Sequence, residues 1–297
     1  MRYEEIVAKT NEVLSEYTGK LTLRQIYYRL VAVLMIENKV SAYNQLSRML
    51  VKARERGVVD YTRIEDRVRR VEGSDGVFDN PNEYFEAVIR SMERQINSYD
   101  ANRTMWTSQP RYVEVWTEKD ALAGVLVDIT RLFKVPLCVA RGYSSFTFVM
   151  DAVKRFKEAD DDGKKLIILY FGDFDPSGED MVRDLRDRIT RYSGLDITIR
   201  KVALTQELID EFQLPPAPMK ESDTRRASFI AKYGDVGVVE LDALPPDELR
   251  RIVIDAIENE VDMMIWEGDK QSTEEEAVQV KKKYKRIKEL ISKDVRR

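Results

Sequence analysis

Two aspartates follow an apolar stretch in the middle of the chain. Residues 166–171 read LIILYF, and the GDFDPSG that follows places Asp173 and Asp175 two positions apart. In an open parallel sheet, binding groups gather beyond the carboxyl ends of the strands, and side chains two positions apart in extended chain project to one side. Two carboxylates held together repel unless one is protonated or a cation lies between them. The pattern indicates a cation site, or alternatively a turn in which Asp175 or Ser177 caps the next helix.

A second predicted strand also ends in acids. YVEVWT, over 112–117, runs into Glu118, Lys119 and Asp120 and then into a helix. A carboxylate here and the pair after residue 171 can meet at one edge of a parallel sheet, and three oxygen ligands facing one cation are a usual arrangement for Mg²⁺. For Lys119, contact with a phosphate and a surface ion pair are both open interpretations.

Composition narrows the chemistry that the chain can perform. Its 297 residues include no histidine and a single cysteine, Cys138. Histidine metal sites, Ser-His-Asp triads and imidazole acid–base catalysis are therefore excluded, and the expected cation is oxygen-loving, Mg²⁺ or else Mn²⁺. One cysteine cannot form an internal disulfide, which favours a reducing cytoplasm. No apolar run approaches the roughly 18 residues of a membrane span, and the N-terminal MRYEEIVAKTNEVL predicts an amphipathic helix and not a signal peptide.

The N-terminal region is predicted to be a winged helix-turn-helix. Helices are expected at 3–17, at 21–38 with Thr22 as N-cap, and at 41–57 with Ser41 as N-cap and Gly57 just beyond the end. The segment VVDYTRIED that follows, over 58–66, is predicted to be short extended or turn structure and to form a hairpin-like tail.

This region is also the basic part of the chain. The net charge is −4, so binding to nucleic acid requires a local patch. Residues 20–72 carry twelve Lys and Arg against six Asp and Glu. A solvated helix face explains such an excess equally well. The predicted DNA-binding patch consists of Arg48, Lys52, Arg54 and Arg56.

The pattern changes to alternating strands and helices further along. Strands are predicted at 112–117, 136–140, 166–171, 197–204 and 236–241, with helices at about 120–133, 145–160 and 177–192. Such alternation favours an α/β fold with a mostly parallel sheet covered on both faces. A linker is expected at 72–84, a connecting helix at about 82–99 and a charged helical tail at about 246–295. The resulting segments are 1–72, 73–107 (linker and connecting helix), 108–245 and 246–297.

The order of these residues resembles the Toprim signature shared by topoisomerases, primases and some nucleases. Glu118 comes first, then Gly142 in ARGYSSFTF, then DFDPSG at 173–178. The stretch 203–244 is similar to the part that follows Toprim in topoisomerase VI A subunits. The resemblance implies a Rossmann-like Toprim domain over 108–245, in which Glu118, Asp173 and Asp175 hold Mg²⁺. Glu118 acts instead as acid–base for the leaving oxygen in an alternative interpretation, and Glu240 is either an outer ligand or, as we favour, part of a structural salt bridge.

The segment TLRQIYYRL, over 22–30, contains two adjacent tyrosines, Tyr27 and Tyr28. On a helix, Tyr27 falls on an apolar stripe and Tyr28 does not, so Tyr27 is predicted to be buried and Tyr28 at least partly exposed. Tyr28 lies one turn from Arg24 on the same side. Topoisomerase VI A subunits and the meiotic double-strand-break transesterases carry an Arg-x-x-aromatic-Tyr motif. The likeness implies that Tyr28 attacks a DNA phosphate and that Arg24 stabilises the phosphorane.

The leading hypothesis is therefore Mg²⁺-dependent cleavage of double-stranded DNA by tyrosine transesterification, with a 5′-phosphotyrosyl intermediate. In the resembled family the tyrosine of one subunit meets the metal of the other, which implies a homodimer. No P-loop is visible, so ATP-coupled strand passage would require a separate ATPase partner. The alternatives are a Toprim nuclease that uses metal-activated water, with Tyr28 structural, and a non-catalytic winged-helix DNA-binding protein.

Overall fold

The computed structural model describes residues 2–17, 19–65, 78–99, 106–140 and 142–294, with side chains as far as residue 289. Its contacts divide the chain into two compact units. One unit combines Met1–Val68 with Tyr112–Glu260, and the other combines Arg69–Arg111 with Val261–Arg297. The N-terminal helices and the central sheet therefore belong to one unit.

Three helices begin the first unit: α1 (Tyr3–Glu16), α2 (Leu23–Ala32) and α3 (Val40–Glu55). The predicted N-cap of α2 is confirmed. The Thr22 side chain accepts a hydrogen bond from the Gln25 main-chain amide, and the Gln25 side chain accepts one from the Thr22 main-chain amide. The helix predicted over 21–38 ends early, and Leu34 adopts a left-handed φ of 58° in the turn that follows. Ser41 is not the cap of α3, since that helix begins after Lys39 without a side-chain cap.

The three helices share a core and a short strand pair. Gly57 follows α3 with a φ of 68°, as predicted for a residue just beyond a helix end. Strand β1 (Leu21–Thr22) pairs in parallel with β2 (Ile64–Glu65). That pairing is not a hairpin, and a short 3₁₀ turn, Tyr61–Arg63, leads directly into β2. Of the predicted tail, only Asp66 lies outside the described residues. The core side chains that are almost fully buried are Ile6, Leu21, Ile26, Leu30, Leu46 and Leu50.

The predicted α/β class is confirmed by a four-stranded sheet in the order β4-β3-β5-β6. Its strands are β3 (Arg111–Thr117), β4 (Leu137–Val139), β5 (Lys165–Phe171) and β6 (Thr198–Ala203). The pairs β3–β4 and β5–β6 are parallel. Every residue of β5 after the first is buried, as expected for an inner strand covered on both faces.

Helices cover this sheet. They are α5 (Ala123–Phe133), α6 (Phe146–Asp161), α7 (Pro176–Ser193), α8 (Gln206–Glu211), α9 (Arg226–Tyr233) and α10 (Pro246–Glu258). Helix α6 packs against α7, and α5 packs against α10. Trp116, Phe156, Ile168 and Ile189 form the centre of the core between the sheet and the α6–α7 pair.

The strand predicted at 236–241 is wrong. The segment makes only two isolated antiparallel bridges, Val239 with Phe174 and Val238 with Ala217. Gly237 has a φ of 81°, a left-handed value that regular strands do not contain. A short 3₁₀ turn, Leu241–Ala243, follows directly.

The second unit is built on two helices, α4 (Pro81–Asn97) and α11 (Met263–Asp294). Tyr99 donates to Glu276 at 2.8 Å, and the rings of Trp106 and Trp266 meet edge to face at 6.0 Å. The first part of the predicted linker, as far as residue 77, lies outside the described residues. Among the helices of the described residues, none is long and apolar enough to cross a membrane.

Candidate metal centre

The ends of two neighbouring strands meet at the carboxyl edge of the sheet. Glu118 follows β3 and Asp173 follows β5, and the main-chain amide of Asp173 donates to Glu118 Oε1 at 2.8 Å. The two strands are neighbours in the sheet, so their polar ends must lie together. The structure therefore brings together the acids that the sequence placed at two different strand ends.

Two glycines permit this close approach. A Cβ on Gly172 would lie 2.7 Å from the Tyr170 ring and 3.1 Å from Glu118 Oε1. A Cβ on Gly178 would lie 2.4 Å from the Asp173 carbonyl oxygen. Real Cβ contacts are not that short, so both positions require glycine for the loop to fold over the strand end.

Asp175 has a different local role. Its side chain is the N-cap of α7, and Oδ1 accepts from the Gly178 amide at 2.6 Å. Of the two interpretations from the sequence, the helix cap is the one that the structure displays. Within the part of the chain that the structure describes, no three acidic, histidine or cysteine side chains are grouped so as to hold a metal. Glu118 and Asp173 are thus brought together, and Asp175 is not arranged with them as a third ligand.

Lys119 is the cation at this edge. Its Nζ lies 2.9 Å from Asp173 Oδ2, 3.3 Å from Glu240 Oε2 and 3.4 Å from Asp242 Oδ2. The lysine side chain is only 19% exposed, so the ion pair is largely buried. Of the two interpretations that the sequence left open for Lys119, the surface ion pair is therefore wrong. Asp242, which is 1% exposed, was not anticipated from the sequence, because nothing in VVELDAL signals a carboxylate directed into the core.

Burial dominates the electrostatics of these acids. It raises the pKa of Asp173 to about 7, against the lowering effect of Lys119 and with a further increase from the Glu118 charge. Burial also raises the pKa of Glu118, and the negative charge of Asp175 adds to that increase. The carboxylates therefore repel one another inside a poorly solvated edge. Lys119 compensates this repulsion in part. Hard oxygen donors that repel one another suit a hard divalent cation, so these residues fit Mg²⁺ or Mn²⁺ in donor type and in charge.

The prediction that Tyr28 is partly exposed is wrong. Tyr28 is 5% exposed and Tyr27 is 4% exposed, so only the burial of Tyr27 is confirmed. The face of α2 that carries Tyr28 is covered by the turn Leu241–Ala243, against which α2 packs. Burial, with the nearby Glu240 charge, raises the pKa of Tyr28, while Arg24 and Lys119 lower it by less.

Arg24 is paired with a carboxylate. Its guanidinium donates from two nitrogens to the two carboxylate oxygens of Glu240 and lies over the Tyr43 ring, 5.1 Å from the centroid. This is the structural salt bridge favoured for Glu240 from the sequence. Although burial opposes the shift, Arg24 and Lys119 hold the pKa of Glu240 below its usual value. A chain of ion pairs thus runs from Arg24 through Glu240 and Lys119 to Asp173.

The predicted DNA-binding residues lie on and just after α3. Arg48, Lys52 and Arg56 are exposed and Arg54 is half-buried. The structure pairs none of the four with a carboxylate of a described residue, so their charges are not neutralised within that part of the chain. The three other basic residues counted near the end of this region, Arg67, Arg69 and Arg70, lie outside the described residues.

Comparison of the chain with protein-family models and with curated proteins found no match.

Proposed function

We propose that this protein cleaves double-stranded DNA in a reaction that depends on Mg²⁺ or Mn²⁺. The observation that carries the proposal is the meeting of Glu118 and Asp173 at the carboxyl edge of the parallel sheet. A divalent cation bound there would neutralise a DNA phosphate and lower the pKa of a water molecule. In this proposal residues 108–245 act as a Toprim domain and residues 1–72 as a winged-helix DNA-binding domain.

The residues of the edge have distinct roles in this proposal. Glu118 and Asp173 supply the oxygen ligands. Both carboxyl groups are buried at this edge, where few water molecules compete for a cation. Asp175 would leave its cap position on the Gly178 amide to become a third ligand. Lys119 compensates the charge of Asp173 and lies where it can also contact a bound phosphate. The exposed cations of α3 would hold the DNA backbone and position it without reading its sequence.

Two nucleophiles are compatible with this site. The burial of Tyr28 and its raised pKa favour water, because a phenol that is 5% exposed cannot reach a DNA phosphate in this conformation. Hydrolysis is therefore the first candidate. The second is tyrosine transesterification, which is favoured by one observation: Arg24, one turn before Tyr28 on α2, is joined through Glu240 to Lys119, the residue next to Glu118. Attack by Tyr28 requires the turn Leu241–Ala243, which packs against α2, to move away, whether the phosphate is held by the same chain or by a second copy.

The experiment uses duplex DNA labelled at the 3′ ends of its strands, Mg²⁺ and a denaturing gel. Free cut ends indicate hydrolysis, and label that stays with the protein after denaturation indicates a phosphotyrosyl link. Asp173→Asn should abolish either product. Tyr28→Phe should leave hydrolysis intact, whereas it should eliminate both adduct and cleavage if tyrosine is the nucleophile.

A band shift without cutting under all conditions would contradict the proposed catalysis and leave a DNA-binding protein. The proposed homodimer and the separate ATPase partner are tested independently by light scattering and by co-purification.

A further inference from the structure

A cavity of about 400 Å³ lies between α7, β6, α8 and α9. None of the three predicted metal ligands lines it. Four cationic side chains do so, Arg183, Arg186, Lys201 and Lys232, together with the acids Glu179 and Glu207. Cations therefore outnumber acids in this cavity, although the net charge of the chain is −4.

The charges in the cavity do not cancel. Glu179 accepts from Lys201 at 2.6 Å, from Lys232 at 3.0 Å and from the Tyr233 hydroxyl at 2.7 Å. Two ammonium groups therefore face one carboxylate. Although burial opposes the shift, Lys201, Tyr233 and Lys232 lower the pKa of Glu179 to about 2, so this carboxylate is charged at neutral pH.

Arg186 adds a further positive charge. Its guanidinium donates to the Ile199 carbonyl oxygen at 3.2 Å. Among the described residues it has no carboxylate partner. By contrast, Arg183 is paired with Asp180 and Asp187 on its own helix. With Arg183 set aside, three cations (Arg186, Lys201 and Lys232) face two acids (Glu179 and Glu207), so a ligand meets a net charge of +1.

Two aromatic rings complete the lining. Phe174 and Tyr233 meet edge to face with centroids 4.9 Å apart, and the Lys232 ammonium lies 4.6 Å from the Tyr233 centroid. Cations beside aromatic rings are the combination with which proteins hold a phosphate and the base attached to it.

We propose that this cavity binds a phosphate group carried by a nucleotide unit, either in a free nucleotide or in a DNA backbone. Arg186 and Lys232 contact the phosphate, and Tyr233 contacts the base. Lys201 connects the cavity with the acidic edge, because its Nζ also donates to the Asp173 carbonyl oxygen at 2.8 Å. The site does not depend on the proposed metal or on cleavage.

Calorimetric titration with pyrophosphate in EDTA tests the site without a metal. Wild-type protein should bind, and Arg186→Gln and Lys232→Gln should each weaken binding by about tenfold, since hydrogen bonds to charged groups are the stronger ones. Both side chains are exposed, so both variants should stay folded. Arg131→Gln and Lys157→Gln remove exposed cations from α5 and α6 and serve as matched controls.

Competition identifies the source of the phosphate. Displacement of pyrophosphate by a 5′-hydroxyl dT dodecamer assigns the site to DNA backbone, and displacement by dAMP alone assigns it to a free nucleotide. Absence of binding at millimolar pyrophosphate would overturn the proposal. So would wild-type affinity in both Gln variants combined with loss of affinity in Arg48→Gln or Lys52→Gln, which would place the phosphate on α3.

Discussion

Replacing Lys119 with methionine removes the cation that faces Asp173, Glu240 and Asp242 and keeps most of the side-chain volume. Removing one partner of a buried ion pair costs roughly 3–5 kcal/mol, because the remaining charge is left without compensation. Asp173 has a pKa of about 7 and can relieve part of that cost by taking up a proton. The expected loss of unfolding free energy at pH 7 is therefore about 3 kcal/mol.

The loss should depend on pH with a defined sign. Without Lys119, burial and mutual repulsion raise the folded-state pKa of Asp173 and Asp242 further above their unfolded values. The folded state then binds protons more readily than the unfolded state, so lowering the pH favours folding. The unfolded-state pKa values are common to both proteins and cancel. The difference between Lys119→Met and wild type should therefore shrink as the pH falls from alkaline values towards about 7, the pKa of Asp173 in folded wild type.

Mg²⁺ should rescue this variant more than wild type. A ligand present at about one hundred times its dissociation constant stabilises the folded state by about 2.7 kcal/mol. In the variant, a cation at the edge replaces the lost ammonium and no longer competes with it. Urea unfolding followed by circular dichroism, with and without Mg²⁺, measures all three effects. Lys157→Met, on the exposed face of α6, is the control and should change stability by less than about 0.5 kcal/mol. A Lys119→Met loss below about 1 kcal/mol, or equal responses of variant and wild type to Mg²⁺, would refute the reasoning.

Three further predictions concern other parts of the molecule. Tyr28→Phe should lower the free energy of unfolding by less than about 1 kcal/mol, and Tyr28→Ala should lower it by roughly 3–5 kcal/mol. Thermal or urea unfolding measures both, and an alanine variant as stable as wild type would show that the ring is not buried. Wild type should lose stability as the pH falls from 4.5 towards about 2, because the pKa of Glu179 is lowered in the folded state. Glu179→Gln should lack that part of the pH dependence, and identical acid profiles would contradict the Lys201–Glu179 contact. Replacing the four cations on and just after α3, Arg48, Lys52, Arg54 and Arg56, with Gln should flatten the salt dependence of DNA affinity by about one unit per lost phosphate contact. Fluorescence anisotropy measures this slope, and an unchanged slope would show that DNA binds to another surface.

Local signals in the sequence were sufficient to predict much of the fold. The apolar run at 166–171 predicted a strand buried on both faces, and β5 is that strand. The Thr22 cap and Gly57 were also predictable, because capping depends on a few neighbouring residues. The meeting of Glu118 and Asp173 followed from strand ends in a parallel sheet.

Most of the predictions that were wrong depend on contacts between residues that are far apart in the sequence. The helical wheel places Tyr28 off the apolar stripe, but it cannot show that the turn Leu241–Ala243 packs against the helix. Tyr28 is therefore buried like Tyr27. Asp242 could not be foreseen for the same reason, since its partner Lys119 is far away in the chain. The missing strand at 236–241 has a local cause, because Gly237 takes a left-handed φ where an alternating apolar pattern predicted extended chain.

The most direct measurement is the anomalous difference density of Mn²⁺ in crystals of the protein soaked at neutral pH. A peak is predicted within direct coordination distance, roughly 2.1 Å for a small divalent cation, of carboxylate oxygens of both Glu118 and Asp173, with the Lys119 ammonium displaced from Asp173. Density at saturating Mn²⁺ that shows Lys119 still on Asp173 and no peak at these two carboxylates would contradict a metal centre at this edge.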